Sequence, residues 1–386
     1  MAYDFDQIID RKNTNSIKYN LAARGVTEGT LPMWVADMDF KSPPCVAEAL
    51  GKITAHGVFG YTETDDAYFA AVRSWFTGRF GWSPEREWLV TTNGVVNAIY
   101  LAVRALTGPG DGVVIQQPVY HPFAESARRN GRKLLINELV YDNGRYIIDF
   151  EDFENKVRQA KLFILCSPHN PVGRVWTRPE LRRMGEICIK YGVKIISDEI
   201  HQDFVYPGGR HSVFASLGEE FRDASIICTA PTKTFNLAGL PIANIFISNK
   251  ETRDKFIKES ADCGLGLISL AGSAACEAAY RSGAEWLDAL LAYLGDNFNL
   301  LDDFLSANIP KIKFTKPDGT YLAWLDCNAF GLSAEELDNK LLNEARLWLT
   351  RGDHFGAGGA GFARMNLACP RSILEEALER LGRAFC

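Results

Sequence analysis

The sequence is poor in the features that mark the commonest kinds of site. Its 386 residues include only six histidines, none spaced H-x-x-x-H, and nine cysteines with no C-x-x-C pair, so no cluster of zinc ligands can be read from it. No serine sits in a G-x-S-x-G turn, which argues against a serine hydrolase. There is no block of Lys or Arg, and the formal charge of -6 gives no attraction to phosphate backbones or anionic membranes, so neither nucleic acid nor membrane is an expected partner. Nowhere do about 18 apolar residues run uninterrupted, and Met1 to Gln7 is acidic and aromatic rather than basic and then apolar. The cysteines are odd in number and most lie in apolar stretches such as Leu162-Phe163-Ile164-Leu165-Cys166, which reads as reduced core thiols and a cytoplasmic protein.

What is present is the composition of a globular chain able to bury a large core: 47% hydrophobic and 23% charged residues. Short β-branched runs at 112–115, 161–165, 193–197 and 225–228 alternate with helical patterns, which predicts an α/β fold with a mostly parallel, doubly wound sheet. Thr177 with Glu180 forms a capping-box pattern at one helix start, and Gly192 stands past its end. Beyond about residue 281 the pattern changes to a helix near 286–304, a strand at 320–325, a second capping box at Ser333 and Glu336, and an alternating strand at 361–367. This predicts a large domain over 46–280 and a smaller α+β domain over 281–386, which the 1–45 segment joins. Gly356, Gly358 and Gly361 spell G-x-G-x-x-G but open a strand rather than a helix, so they predict a loop and not a dinucleotide site.

Ligands gather outside the carboxyl ends of parallel strands, and here those ends are polar. Tyr120, Asn170, Asp198 and Lys233 each follow a different run. A lone lysine is usually a solvated charge and Asn-Pro usually a turn, but four such residues at successive strand ends point to one site.

Ser-Pro-His-Asn-Pro-Val-Gly (167–173), Ser-Asp-Glu-Ile-His (197–201) and Thr-Lys-Thr-Phe-Asn-Leu-Ala-Gly-Leu (232–240), in that order, resemble the fold-type I pyridoxal-phosphate enzymes, the aspartate aminotransferase superfamily. The resemblance covers nearly the whole chain. It implies pyridoxal 5'-phosphate carried on Lys233 as a Schiff base, which needs a neutral amine such as an apolar site favours. It further implies Asp198 on the pyridine nitrogen, Asn170 on the ring hydroxyl oxygen, Tyr120 stacked on the ring and His201 nearby. The phosphate is expected at Gly94, Val95 and Val96, where a helix begins after a strand, with hydroxyls from Thr229 and Thr232. Tyr61 resembles the tyrosine that reaches the phosphate from a neighbouring subunit, implying a homodimer with shared active sites. Arg364 resembles the arginine that grips the substrate carboxylate, with backbone N–H groups near Val35 and Ala36 facing the same group.

Two departures bear on the reaction. Aminotransferases usually have tyrosine three residues after the pyridine-binding aspartate and arginine eight residues after the lysine, whereas this chain has His201 and Pro241. These, with the blocks at 34–40, 56–62, 320–326 and 366–372, resemble the MalY/PatB group of cystathionine β-lyases and cysteine C–S lyases. That group implies α,β-elimination from a small sulfur-containing amino acid to thiol, pyruvate and ammonia. The alternatives are an aminotransferase, or a lyase-fold protein with an added regulatory binding role, since the group includes a member that also restrains a transcription activator.

Overall fold

The computed structural model describes residues 3–385; Met1, at the start of the acidic N-terminus, and Cys386, one of the nine cysteines, lie outside the described residues. Seven strands form the central sheet, in the order Leu89–Thr92, Ala243–Phe246, Ser225–Thr229, Lys194–Asp198, Ala160–Cys166, Gly112–Gln117 and Lys133–Glu138. Ala243–Phe246 runs antiparallel to both its neighbours, and the remaining strands are parallel.

Successive side chains of a strand face opposite sides, so a strand buried on both faces must be apolar throughout. Val113 and Ile115 pack with Ile99, Val103, Phe123 and Phe256, from the helices Val95–Leu106, Pro122–Arg129 and Lys250–Asp262. Val114, between them, joins Phe153, Leu181 and Met184 on the other side, from Phe150–Val157 and Arg178–Lys190. Each such side chain withdrawn from water contributes roughly 1.5–3 kcal/mol, enough to override the modest propensities of the individual segments. The mostly parallel doubly wound sheet expected from sequence is thus present.

Both capping boxes form: Thr177 and Glu180 exchange side chain and backbone bonds at the start of Arg178–Lys190, and Ser333 and Glu336 do so before Ala334–Asn339. Gly192 has φ 68°, a left-handed turn natural to glycine. Two strands of the central sheet escaped the sequence reading. Lys133–Glu138 is an edge strand with polar ends, and Ala243–Phe246 is a four-residue run whose pairing is set entirely by its neighbours.

A second sheet, in the order Lys313–Phe314, Leu322–Asp326, Phe362–Asn366 and Thr350–Arg351, is antiparallel throughout. The expected helix is Ala284–Asn308; Trp286, Leu287 and Leu290 belong to the core of the large sheet, and Phe298, Leu301 and Leu305 to the core of the small one. One rigid element therefore fastens the two layers together. Leu31–Pro32 pairs in parallel with Leu347–Trp348, which lays the following Trp34–Phe40 segment between the sheets.

Candidate active site

A cavity of about 710 Å³ opens where the carboxyl ends of the parallel strands meet the small sheet. It is lined by Tyr120, Asn170, Asp198, His201, Thr232, Lys233 and Arg364, by Gly94, Val95 and Val96, and by Val35 and Ala36. Asp198 ends its strand, and Lys233 lies on the short helix Pro231–Thr234 two residues past the next strand. That helix is fixed from behind: Thr234 donates to the buried Asp203 carboxylate (2.7 Å), which also accepts from the Trp75 indole (3.0 Å). The lysine can therefore project only into the cavity.

Lys233 Nζ donates to the Ala36 carbonyl (2.6 Å), which also accepts from the Tyr321 hydroxyl (2.9 Å). Burial, reinforced by the Arg364 charge, lowers the Lys233 ammonium from 10.5 to about 8. One Asp198 oxygen accepts from the Ile200 N–H (3.1 Å), and the other has no donor among the described residues. Burial pushes this carboxyl up to about 7, outweighing the Ile200 N–H and the nearby Lys233 charge, which lower it. His201 is buried, its Nδ1 is unpartnered, and burial holds its pKa well below the ordinary histidine value, so its ring is neutral. Tyr120 is held by its backbone N–H on the Asn170 carbonyl (3.1 Å), and burial raises its phenol.

Arg364, on Phe362–Asn366, donates to Asn170 Oδ1 (2.9 Å), the Trp34 carbonyl (2.8 Å) and the Thr350 hydroxyl (3.2 Å), with its guanidinium over the Phe355 ring. No carboxylate pairs with it among the described residues, and its Nε is buried without a partner. Because Arg364 occupies the Asn170 oxygen, the Asn170 amide N–H₂ remains free to donate into the cavity. The Val35 and Ala36 N–H groups find no acceptor among the described residues, while their carbonyls are taken by Asn366 (2.6 Å) and Lys233.

At the other end, Gly94 has φ 118° and caps Val95–Leu106, whose first N–H groups face the cavity through Val95 and Val96. Such a helix start suits a dianion. Thr232 lines this end, as does Pro241. Thr229 does not: it is fully buried, and its only hydroxyl proton goes to the Asn244 carbonyl (2.9 Å), which corrects its expected role as a phosphate donor. Tyr61 does not reach this chain's own cavity; it is 92% exposed on the extended stretch between two helices.

Sequence reasoning missed Trp348, Phe355, Asp338, Arg351, His354 and His121, all of which line the cavity. It also missed Asn236, whose side chain bonds both Met38 backbone groups and the Phe40 carbonyl and so ties the Lys233 loop to the N-terminal segment. Its signal was an asparagine three residues past the lysine, in a position that demands φ of 56°.

Residues 31–381 match the model of the aminotransferase class I and II family. The chain belongs to that family. It is 44% identical to the cystathionine β-lyase PatB of Bacillus subtilis over 386 residues, covering 99% of this chain and 100% of PatB. It is 33% identical to the protein MalY of Escherichia coli over 388 residues, covering 99% of each. Among solved structures, cystalysin of Treponema denticola, whose crystal contains pyridoxal 5'-phosphate, superposes with a TM-score of 0.96 at 40% identity, covering 100% of this chain and 99% of cystalysin.

The family member's cavity fits that cofactor on its own chemistry. An amine of lowered pKa, a buried carboxylate with one free oxygen, a free amide donor and a glycine-capped helix start answer an aldehyde, a pyridine nitrogen, a ring hydroxyl and a phosphate respectively.

Proposed function

We propose that this chain is a pyridoxal 5'-phosphate-dependent carbon–sulfur β-lyase, acting on cystathionine or another cysteine S-conjugate. The observation that carries the reading is the convergence of Lys233, Asp198, Asn170, Tyr120 and Arg364 on one cavity, where Lys233 is held toward the neutral amine and Asp198 and Asn170 each keep an atom free. When bound, the cofactor supplies an aldehyde for amine exchange and a ring that draws electrons from the substrate's Cα. Arg364 holds the substrate carboxylate with its planar fork, and the Val35 and Ala36 N–H groups face the same group. Asp198 would hold the ring nitrogen in its protonated state, Asn170 would donate to the ring oxygen, and Tyr120 would pack against the ring. Lys233 Nζ, neutral in a large fraction of molecules near pH 8, removes the Cα proton, and the sulfur departs from Cβ as a thiolate. Together with water, the substrate becomes a thiol, pyruvate and ammonia.

His201 and Pro241, and the similarity to PatB, a cystathionine β-lyase, support elimination over transamination. A homodimer with shared sites is supported by Tyr61, Phe59 and Val58, which are exposed on one short stretch. A cytoplasmic setting agrees with eight described cysteines that are all free. The test is incubation with cystathionine, and separately with an amino donor plus a 2-oxo acid. Thiol and pyruvate release from cystathionine, lost in Lys233→Ala together with the visible band of the lysine-bound cofactor, is the expected result. Amino transfer without thiol release would overturn it.

A further inference from the structure

The cavity continues beyond Arg364. On the edge strand Arg351 pairs with Ala363 and so leaves the sheet on the face opposite Thr350 and Arg364, yet its long side chain, like that of Asp338, also lines the cavity, and exposure rises from 6% at Arg364 to 27% and 31% at the side chains of Arg351 and Asp338. Trp348, Leu349 and Phe355 also line the cavity, with Thr350 and His354 among them.

Arg351 commits only part of its guanidinium. Nε and Nη2 donate to the Asp353 carboxylate at 3.0 and 2.7 Å. Its Nη1 stands 3.8 Å from Asp338 Oδ2, inside ion-pair range but too far for a hydrogen bond. Asp338 accepts no hydrogen bond among the described residues, although partial burial already raises its carboxyl pKa. One cationic N–H₂ and one carboxylate, side by side and both unsatisfied, therefore face the mouth of the cavity. An alkyl group placed against them would strip their water and return nothing, which costs binding energy. An amino acid's own ammonium and carboxylate, carried on one carbon, answer both at once.

We propose that this outer end is a subsite for an α-amino acid group on the substrate's sulfur, with Arg351 Nη1 holding its carboxylate and Asp338 its ammonium. The thioether and methylenes that join the two ends lie along Trp348 and Phe355. The assignment rests on the lyase reading and names the substrate class: cysteine joined through sulfur to a second amino acid, in preference to simple S-alkyl cysteines.

The test compares pyruvate release from L-cystathionine, from S-butyl-L-cysteine and from the cystathionine analogue that lacks the distal amino group. In the wild-type holoenzyme, kcat/KM is highest for cystathionine. Arg351→Met lowers the ratio of kcat/KM for cystathionine to that for S-butylcysteine about tenfold or more, chiefly through KM, as the loss of a charge-assisted contact requires. The isosteric Asp338→Asn, which leaves the Arg351 to Asp353 pair in place, lowers the ratio of cystathionine to its deaminated analogue by a similar factor. Melting temperatures of both variants check the fold. Unchanged ratios in Asp338→Asn, or a wild-type preference for S-butylcysteine, overturn the subsite and leave the lyase reading standing. Release of pyruvate from none of the three would instead refute the lyase reading, and the subsite with it.

Discussion

Lys233 must be neutral before it can bond the cofactor's aldehyde, so the rate at which cofactor-free protein takes up pyridoxal 5'-phosphate reports its ionisation. With the ammonium at about 8, about a quarter of the lysines are neutral at pH 7.5; at the ordinary 10.5 about one in a thousand would be. Burial accounts for most of that roughly 200-fold difference, and the nearby Arg364 charge adds to it, while Asp37 and Asp198 oppose it. Uptake should therefore climb about tenfold per pH unit below pH 7, bend near pH 8 and level off above pH 9. Stopped-flow absorbance of the lysine-bound cofactor at constant ionic strength measures this directly. Arg364→Met removes a charge that lowers the lysine's pKa, so the bend should move to higher pH in that variant. A profile that keeps rising toward pH 10.5, or one unmoved in Arg364→Met, would refute the argument that the site tunes this amine.

Three further outcomes follow from the same geometry. In cofactor-free protein, Asp198→Asn should raise stability at pH 8 and lose that advantage toward pH 4. The folded carboxyl titrates near 7 against 3.8 when unfolded, so protonation favours the fold below that window and ionisation costs it above, by at most about 4 kcal/mol; melting temperatures across pH will show the sign. Arg364→Lys keeps the charge but loses the fork, so kcat/KM for cystathionine should drop roughly ten- to a hundredfold in pyruvate-release kinetics, with no drop counting against the carboxylate role. Pro241→Arg should tighten cofactor binding about tenfold, because Pro241 lines the cavity at a position where a cation would face the phosphate; equilibrium dialysis will detect this, and no tightening would show that the backbone donors already suffice.

Much of the molecule was legible because the signals are local. The runs at 112–115, 161–165, 193–197 and 225–228 are apolar through their central positions because both faces of each strand are covered there, and the polar residues that follow them mark the ligand edge without any knowledge of the partner strands. Thr229 shows where that reasoning fails: it stands at a strand end like Asp198, but its hydroxyl turns to the antiparallel Ala243–Phe246 strand, which the sequence did not reveal. Arg351 and Asp338 were missed for a related reason, since nothing in residues 334–351 has a motif and their meeting depends on how a strand and a helix of the small layer pack.

The sequence by itself determined the covalent inventory of the site: a lysine, an aspartate, an asparagine, a tyrosine and an arginine in the order and spacing that family membership carries, and a doubly wound sheet to present them. The tertiary structure decided their states. Burial from segments hundreds of residues apart lowers Lys233 to about 8 and raises Asp198 to about 7, and the Trp34–Phe40 segment lies between the sheets only because Leu31–Pro32 pairs with Leu347–Trp348. Residue type is a local property, whereas desolvation and charge proximity are properties of the whole packed chain.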